Sequence, residues 1–300
     1  MTPIRTQWRR LIRFVAAETS RIHIGEPVDA SLDVGLAFHE GKPIKAHEIL
    51  GDVLNPTARV TSTVLTVKRL LAPISREEIK VVRCLGLNYS DHAAETKMAF
   101  PKFPVLFYKP VTSLINPADP VIIPRVAQPP DVHQADYEVE LTIVIGRTAK
   151  NVSEADALDY VLGYTGANDV SFRKYQLAVS QWGFSKSFDD TNPLGPCLVS
   201  AVALGDPQAV PLSCTVNGVK HQDGTTAGQI FGVAQTVSFL SQGTTFEPGT
   251  IILTGTPKGV GFVKKPPLNL KHGDNMCTWV GKGIGSLYNS IIEEGREAKL

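Results

Sequence analysis

The sequence predicts an α+β protein that is mostly β, with a small amino-terminal β subdomain ahead of a larger β-rich domain. Its 300 residues include 25 glycines and 21 prolines, which suits many short strands joined by tight turns. Residues 136–146, DYEVELTIVIG, alternate in polarity, are rich in β-branched residues and end at a glycine, as a central strand should. A chain of this length can bury a substantial core.

Composition and charge exclude several classes of function. The apolar fraction of 43% and the charged fraction of 20% are those of an ordinary globular protein. A formal net charge of +1 provides no field that would attract nucleic acid or an anionic membrane. No window approaches 18 uninterrupted apolar residues, so no transmembrane helix is predicted. We therefore expect neither nucleic acid nor membrane as a partner.

Cysteine usage and the amino terminus bear on the compartment. The cysteines lie far apart without any C-x-x-C spacing, which predicts reduced, structural thiols in an intracellular protein: Cys84, Cys197, Cys214 and Cys277. Several arginines and no acid precede Glu18, a faint pattern of a mitochondrial presequence. The apolar run at 11–15 favours a first strand instead. A cytoplasmic protein is expected, with a mitochondrial location as the alternative.

The first part of the chain is predicted to be a small strand meander. Four strands are expected at 11–16, 21–25, 33–38 and 43–50, and the polar, Pro-containing segment 55–63 is expected to be a linker. Residues 64–72 then lead into Pro73, and the character of the sequence changes near Lys80. The predicted division is therefore a subdomain with its linker at 1–78 and a catalytic domain at 79–300.

The larger domain is predicted to alternate strands with a few short helices. Strands are expected at 81–87, 103–109, 115–123, 136–146 and 164–168, with two more within 270–292 around a turn at 281–285. The run 251–260 is expected to be a buried strand that breaks into a Gly-rich loop. Helices are expected after a capping box at 153–156, within 172–182 and at 231–240. The sequence Val216-Asn217-Gly218-Val219 predicts a two-residue β-hairpin.

The central strand presents two acidic residues whose meaning the spacing leaves open. Period-two alternation places Glu138 and Glu140 side by side, opposite the apolar face formed by Tyr137, Val139 and their successors. A sheet with one wet face is the favoured interpretation on spacing alone. The alternative is a pair of hard oxygen ligands for a divalent cation such as Mg²⁺, with Asp169 at a neighbouring strand end as a possible third.

Other chemistry-bearing residues fall into three groups. His92 and Glu95 are three apart on a predicted helical turn, so the carboxylate can orient the imidazole as a general base. Lys186 lies between two aromatic residues, where it is either a surface lysine or an anion-binding group. The loop at 254–260 lacks the order of a phosphate-binding loop, although its amides and hydroxyls could hold a carboxylate.

Five segments in order, from about residue 80 to 292, resemble the fumarylacetoacetate hydrolase family. They are Gly86-Leu87-Asn88-Tyr89 with His92 and Glu95, Asp136-Tyr137-Glu138-Val139-Glu140-Leu141, Asn168-Asp169, Lys186-Ser187-Phe188-Asp189 with Pro193-Leu194-Gly195-Pro196, and Leu253-Thr254-Gly255-Thr256-Pro257-Lys258-Gly259-Val260. The resemblance implies a mixed β-sandwich roll, usually dimeric, that binds Mg²⁺ or Mn²⁺ through Glu138, Glu140 and Asp169. It favours the metal interpretation of the central strand over the wet face.

The resemblance also implies a chemistry. His92 and Glu95 are expected to lie on a lid and to act catalytically with Lys186, while substrate contacts are expected from Asn88, Tyr89, Thr254, Gly255 and Thr256. The length and the amino-terminal meander are similar to the branch that acts on oxaloacetate and related 2-oxo acids. A cation that stabilises an enolate would serve hydrolysis, decarboxylation and tautomerisation equally, so the sequence leaves the three open.

Two departures from the family pattern concern the substrate. Residues 224–228 read Gly-Thr-Thr-Ala-Gly where relatives often carry Asn-Thr-Ser, and residues 276–280 lack the acidic residues frequent in that strand. A small 2-oxo diacid such as oxaloacetate is expected, although the small-residue segment would admit a bulkier compound. The rival hypothesis is a catalytically silent binding or assembly protein. It predicts loss of a ligand or of the His92/Glu95 pair, and the sequence retains both.

Overall fold

The computed structural model describes residues 2–296, and over that range the protein is mostly β, as predicted. The strands are β1 (Arg10–Ala16), β2 (Ile22–Pro27), β3 (Lys45–Leu50), β4 (Arg59–Leu71), β5 (Val82–Gly86), β6 (Val105–Lys109), β7 (Leu114–Ile115), β8 (Val121–Ile123), β9 (Ala135–Asp136), β10 (Val139–Ile145), β11 (Val161–Asn168), β12 (Ser171–Phe172), β13 (Asn192–Ser200), β14 (Pro211–Val216), β15 (Val219–Thr225), β16 (Ile251–Leu253), β17 (Asn275–Val280) and β18 (Gly285–Glu293). The helices are α1 (Val34–His39), α2 (Ser90–Thr96), α3 (Pro130–His133), α4 (Arg173–Ala178), α5 (Ala201–Leu204) and α6 (Val233–Ser241). Short 3-10 helices lie at Val111–Ser113, Arg125–Ala127, Glu154–Tyr160, Pro207–Ala209, Thr226–Gly228 and Gly261–Val263.

Two sheets form the predicted mixed β-sandwich. The larger runs β2-β3-β4-β1-β13-β11-β10-β16-β5-β6, with β7 beside β13, and the smaller runs β15-β14-β17-β18-β8. Within the larger sheet β10 lies between the antiparallel strands β11 and β16, while β16 and β5 are parallel. Residues of both sheets share one hydrophobic cluster, so the core lies between them. The central position of β10 puts its carboxyl-bearing start in the interior.

The amino-terminal strands form a closed ring that continues into the larger sheet. Each of β1 to β4 pairs with two others of the four. Strand β1 also pairs with β13 through Arg10 and Leu11, which joins the ring edge to edge with the rest of the protein. The first strand predicted at 11–16 is thereby confirmed. The division into 1–78 and 79–300 stays a prediction, and residues 297–300 of it lie outside the described residues.

Several predicted elements are wrong or shortened. Residues 33–38 were predicted as a strand, but Val34–His39 is a helix. Asp33 caps its first turn, because Asp33 Oδ1 accepts from the amide of Leu36 at 3.1 Å. Gly35 permits this helix to press on β18, because a Cβ there would lie 1.7 Å from the carbonyl oxygen of Ser286. The predicted linker at 55–63 is strand from Arg59 onward, the strand at 115–123 is two short strands, and the helix within 172–182 ends at Ala178.

The central strand is buried on both faces, so the expectation of a wet face is wrong. Tyr137, Val139 and the alternate residues that follow pack in the cluster between the sheets, as predicted. Every residue of β10 is nevertheless buried, and Val144 on the other face packs in a second cluster with Trp8 and Leu162. The amino-terminal segment supplies this second layer. The carboxylates of Glu138 and Glu140 are therefore desolvated rather than exposed to water.

Several local predictions hold. The hairpin at 216–219 joins β14 and β15, with Asn217 at φ 51° and Gly218 at φ 78°, the left-handed pair that a tight two-residue turn requires. Strands β17 and β18 pair around the turn predicted at 281–285. The four cysteines within the described range are free thiols, and three of them are buried. None of the helices described between residues 2 and 296 is long and apolar enough to cross a bilayer.

Candidate active site

Three carboxylates converge at the start of β10 and the end of β11. Glu138 directly precedes β10, Glu140 lies within it, and Asp169 directly follows β11. Antiparallel pairing of β10 and β11 brings the strand ends together, and the amide of Asp169 donates to the carbonyl oxygen of Glu138 at 2.9 Å. One oxygen from each side chain lies within 4.8 Å of the others, and all three residues are buried. The sequence predicted this convergence, and their role as ligands is taken up below.

Two buried lysines pair with these carboxylates. Lys186 Nζ lies 2.7 Å from Glu138 Oε2 and 2.6 Å from Asp169 Oδ2. Lys109 Nζ lies 2.8 Å from Asp169 Oδ1, and neither side chain of that pair is exposed. Burial lowers the pKa of Lys186, but the charges of Asp169 and Glu138 outweigh it and raise that pKa to about 12. The Lys186 ammonium is therefore charged inside the site.

An arginine forms a further wall of the cluster. Arg173 Nη1 lies 2.7 Å from Glu138 Oε1, and its Nε donates to Asp136 Oδ2 at 2.9 Å. The other oxygen of Asp136 accepts from the amide of Gly261 at 2.7 Å, so this carboxylate holds the guanidinium in place. Sequence reasoning identified neither Arg173 nor Lys109. A usable signal was present for the lysine, which ends a strongly apolar strand where a charged side chain is unusual.

The carboxylates differ in how well their charge is compensated. Burial opposes ionisation of Glu138, yet the charges of Lys186 and Arg173 hold its pKa well below the usual range. Burial, followed by the charges of Asp169 and Glu138, raises the pKa of Glu140 well above its usual range. The carboxylate of Glu140 accepts from the amide of Gly255 at 2.6 Å. Among the described residues, no lysine or arginine forms an ion pair with Glu140, unlike Glu138 and Asp169. This shortage of positive charge, together with the hard oxygen donors, fits a divalent cation.

The predicted general base His92 and its orienting residue Glu95 lie on a short helix that is held against the Gly-rich loop. In α2, His92 Nδ1 is 2.7 Å from Glu95 Oε1. The two oxygens of Glu95 also accept from the amide of Gly259 at 3.0 and 2.9 Å. Glu95 thus fixes the imidazole with Nδ1 as the donor, which leaves Nε2 as the nitrogen able to accept a proton. Helix α2, the expected lid, therefore lies against the loop at 254–260.

The residues predicted to bind substrate lie close by, but most are engaged in holding the loop. Asn88 Nδ2 donates to the carbonyl oxygen of Thr254 at 2.8 Å. The hydroxyl of Thr254 in turn donates to the carbonyl oxygen of Leu141 at 2.8 Å. The Gly255 amide is taken by Glu140, and Tyr89 is buried beside Gln229. Of the five, Thr256 lines the cavity described next. Substrate contact by the other four stays a prediction.

Two carboxylates of the cluster, Glu138 and Glu140, line a cavity of about 190 Å³. One set of lining residues is polar or charged: His92, Glu138, Glu140, Arg173, Lys186 and Thr256. A second set is apolar: Leu85, Met98, Phe107, Leu177, Val179 and Trp182. The unusual segments 224–228 and 276–280 contribute nothing to its lining. The departures from the family pattern therefore do not line this cavity, and their effect on the substrate stays a prediction.

Comparison with known proteins identifies the family and its fold. The family model for the fumarylacetoacetate hydrolase C-terminal domain matches residues 81–292, more than half of the chain. The chain belongs to the fumarylacetoacetate hydrolase family. This confirms the resemblance inferred from the five sequence segments, and the protein is an enzyme of that family.

The chain is similar to family members with several different names. It is 60% identical over 296 residues to caffeoylpyruvate hydrolase from Neonothopanus nambi, covering 98% of this chain and 96% of the relative. It is 36% identical to a mitochondrial oxaloacetate tautomerase from Xenopus laevis, covering 94% and 90% of the two chains. A fumarylpyruvate hydrolase from Pseudomonas aeruginosa, solved with Mn²⁺ and pyruvate, is 28% identical with a TM-score of 0.65, over 76% of this chain and 93% of the other.

Proposed function

We propose that this enzyme hydrolyses the carbon–carbon bond of an acylpyruvate in a reaction that depends on Mg²⁺, with Mn²⁺ as the alternative ion. The observation that carries the proposal is the grouping of three buried carboxylates with a charged lysine and an oriented histidine, of which Glu138, Glu140, Lys186 and His92 line one cavity. Those are the parts needed to bind a 2-oxo acid and activate water beside it. The name of the relative that is 60% identical supports this choice.

The geometry argues against the small 2-oxo diacid expected from the sequence. A second carboxylate needs its own donors, for which the chain offers Lys186, Lys258 and the Thr254–Thr256 loop. Lys186 uses two of its three N–H donors on carboxylates and has one left for the developing oxyanion, and the Gly255 amide is taken by Glu140. Lys258 is exposed and does not line the cavity. An uncharged acyl group needs none of these donors, so an acylpyruvate is the better match.

Tautomerisation of oxaloacetate is the second candidate. The enclosed volume of about 190 Å³ suits a compact substrate, and the relative from Xenopus laevis carries that activity in its name. A proton shuttle would also use the His92 base, so the two candidates share their residues. They differ in products, because only hydrolysis of an acylpyruvate releases pyruvate and a carboxylic acid.

The mechanism follows from the charges around the cavity. Glu138, Glu140 and Asp169 would hold the cation, which when bound supplies Lewis-acid polarisation of the 2-oxo carbonyl. His92 Nε2 takes a proton from water, and the hydroxide oxygen forms a bond to the acyl carbonyl carbon. Lys186 donates to the oxyanion that develops. The bond to the methylene carbon then breaks, and that carbon takes the electron pair and a proton, which gives the carboxylic acid and pyruvate. Glu95 acts as a positioning residue.

Metal dependence is the direct test of this proposal. Purified protein should cleave acetylpyruvate or benzoylpyruvate with added Mg²⁺, and exhaustive chelation should abolish the cleavage until the ion is restored. Enol absorbance and pyruvate should be followed separately, because loss of the oxaloacetate enol without pyruvate formation would favour the tautomerase. Full activity after chelation would contradict the metal site, and no activity on any of these compounds would favour the silent family member.

The His92→Ala variant tests the base. We expect kcat to fall by about 10²-fold or more with a smaller change in KM, because a general base acts in the transition state. The control is His39→Ala, an exposed histidine on α1 that does not line the cavity and should leave both constants unchanged. A rise in KM at constant kcat would instead make His92 a binding residue.

Assembly and location complete the proposal. We infer a homodimer, as is usual in the family that the sequence resembles, and a cytoplasmic location with a mitochondrial one as the alternative. Gel filtration with light scattering tests the first, and fractionation of the source cells tests the second.

A further inference from the structure

An apolar rim surrounds the opening of the cavity. Met98, Leu177 and Val179 line the cavity and are nonetheless 53%, 67% and 57% exposed. Met98 follows the lid helix α2, while the other two lie at the end of α4. Large apolar side chains gathered at one opening generally mark a surface that something covers. These three side chains line the same cavity as the charged cluster. A ligand bound at the charged cluster is therefore expected to extend over them.

Aromatic side chains lie beside the charged cluster in the cavity wall. The ring of Phe107 lies 5.0 Å from Lys186 Nζ, and it packs edge-on against Trp182 at a centroid distance of 5.6 Å. The indole of Trp182 lies directly on Gly86, where an added Cβ would come within 2.1 Å of a ring carbon. Glycine at position 86 is therefore required for the indole to lie flat beside the cavity. Two aromatic side chains in the cavity lining are thus within reach of a group that leaves the charged cluster.

We infer that Met98, Leu177 and Val179 form, with Phe107 and Trp182, the subsite for a flat aromatic acyl group. The charged residues of the cavity, Arg173 and Lys186 among them, are paired with carboxylates at the cluster, so the subsite suits an uncharged group. Aromatic side chains favour aromatic ligands through edge-to-face and offset contacts. This inference rests on the proposed hydrolysis and adds the class of acyl group.

The test compares two substrates in variants of the rim. The ratio of kcat/KM for benzoylpyruvate to that for acetylpyruvate is measured in the wild type and in the double variant Leu177→Ala/Val179→Ala. We expect the wild type to prefer benzoylpyruvate and the ratio to fall about tenfold in the variant, a typical loss when apolar pocket contacts are removed. Both positions are exposed, so the substitutions leave the fold intact.

The matched control is Val202→Ala on α5, which is 58% exposed, against 57% for Val179, and does not line the cavity. It should leave the ratio unchanged. Cleavage of both substrates with a ratio within about twofold of the wild type would contradict the inference alone. A wild type that prefers acetylpyruvate, or a rim variant that changes only the oligomeric state, would also contradict it. Failure to cleave either substrate would contradict the proposed hydrolysis together with the inference.

Discussion

Replacing Glu140 by glutamine is expected to abolish Mg²⁺-dependent turnover while leaving the metal-free protein at least as stable as the wild type. Among the described residues, Glu140 is the carboxylate of the cluster that forms no ion pair with a lysine or arginine, and burial and its two acidic neighbours raise its pKa. The neutral amide removes that unfavourable charge and can still accept from the Gly255 amide. The loss of activity should be about 10³-fold or more, since a bound metal contributes several kcal/mol to the transition state.

The pH dependence of stability gives this prediction a second measurement. A carboxyl group with a raised pKa binds its proton more tightly in the folded protein than in the unfolded chain. Stability in chelator should therefore fall as pH rises above the unfolded value of about 4.3 and towards the raised pKa. Glu140→Gln should show a smaller fall than the wild type over that window. Urea unfolding at several pH values, with chelator present, measures it.

A buried carboxylate away from the cluster provides the control for Glu140→Gln. Glu293 on β18 is buried and pairs with the exposed Arg296, and it does not line the cavity. Glu293→Gln should retain Mg²⁺-dependent activity. Retained activity in Glu140→Gln, or a strong loss of its stability in chelator, would show that Glu140 is not the unpaired ligand.

The sequence was sufficient to predict the elements that local pattern determines. The Asn217-Gly218 turn, the apolar face of β10 and the neighbouring positions of Glu138 and Glu140 follow from period-two alternation and turn chemistry, whereas the grouping of Asp169 with them was implied by the family resemblance. Helix α1 could not be found in the same way, because tertiary contacts help to hold it. Asp33 caps it and also accepts from the amide of Ser286 at 3.0 Å, a residue on the distant strand β18.

The electrostatics of the site were beyond the sequence for the same reason. Alternation alone suggested that the acidic face of β10 was wet, and only three-dimensional pairing shows which cations neutralise it. Lys109 is 60 positions from Asp169 in the chain, and Arg173 reaches back to Asp136 across 37. If the cluster contained only like charges, removal of one of its acidic residues would be expected to leave the stability unchanged. The buried ion pairs change that expectation for Asp169.

The Asp169→Asn variant should lose activity and also unfold more easily. Asp169 accepts from Lys109 and Lys186 in a fully buried position, and removing one partner of a buried ion pair typically costs about 3–5 kcal/mol. Lys186 keeps Glu138, whereas Lys109 is left with a charge that its neighbour no longer neutralises. Chemical unfolding in chelator should show the loss. Asp190→Asn is the control, because Asp190 pairs with Arg76 at the surface and the change should cost about 1 kcal/mol or less.

A double variant separates this explanation from general damage to the site. Lys109→Met in the Asp169→Asn background removes the unneutralised ammonium and keeps an unbranched apolar side chain of similar length. If the buried charge causes the instability, the double variant should be more stable than Asp169→Asn alone while remaining inactive, because the ligand is still missing. Equal or additive destabilisation would mean that the two side chains contribute independently, and the ion pair would then not be what couples the metal site to the stability of the fold.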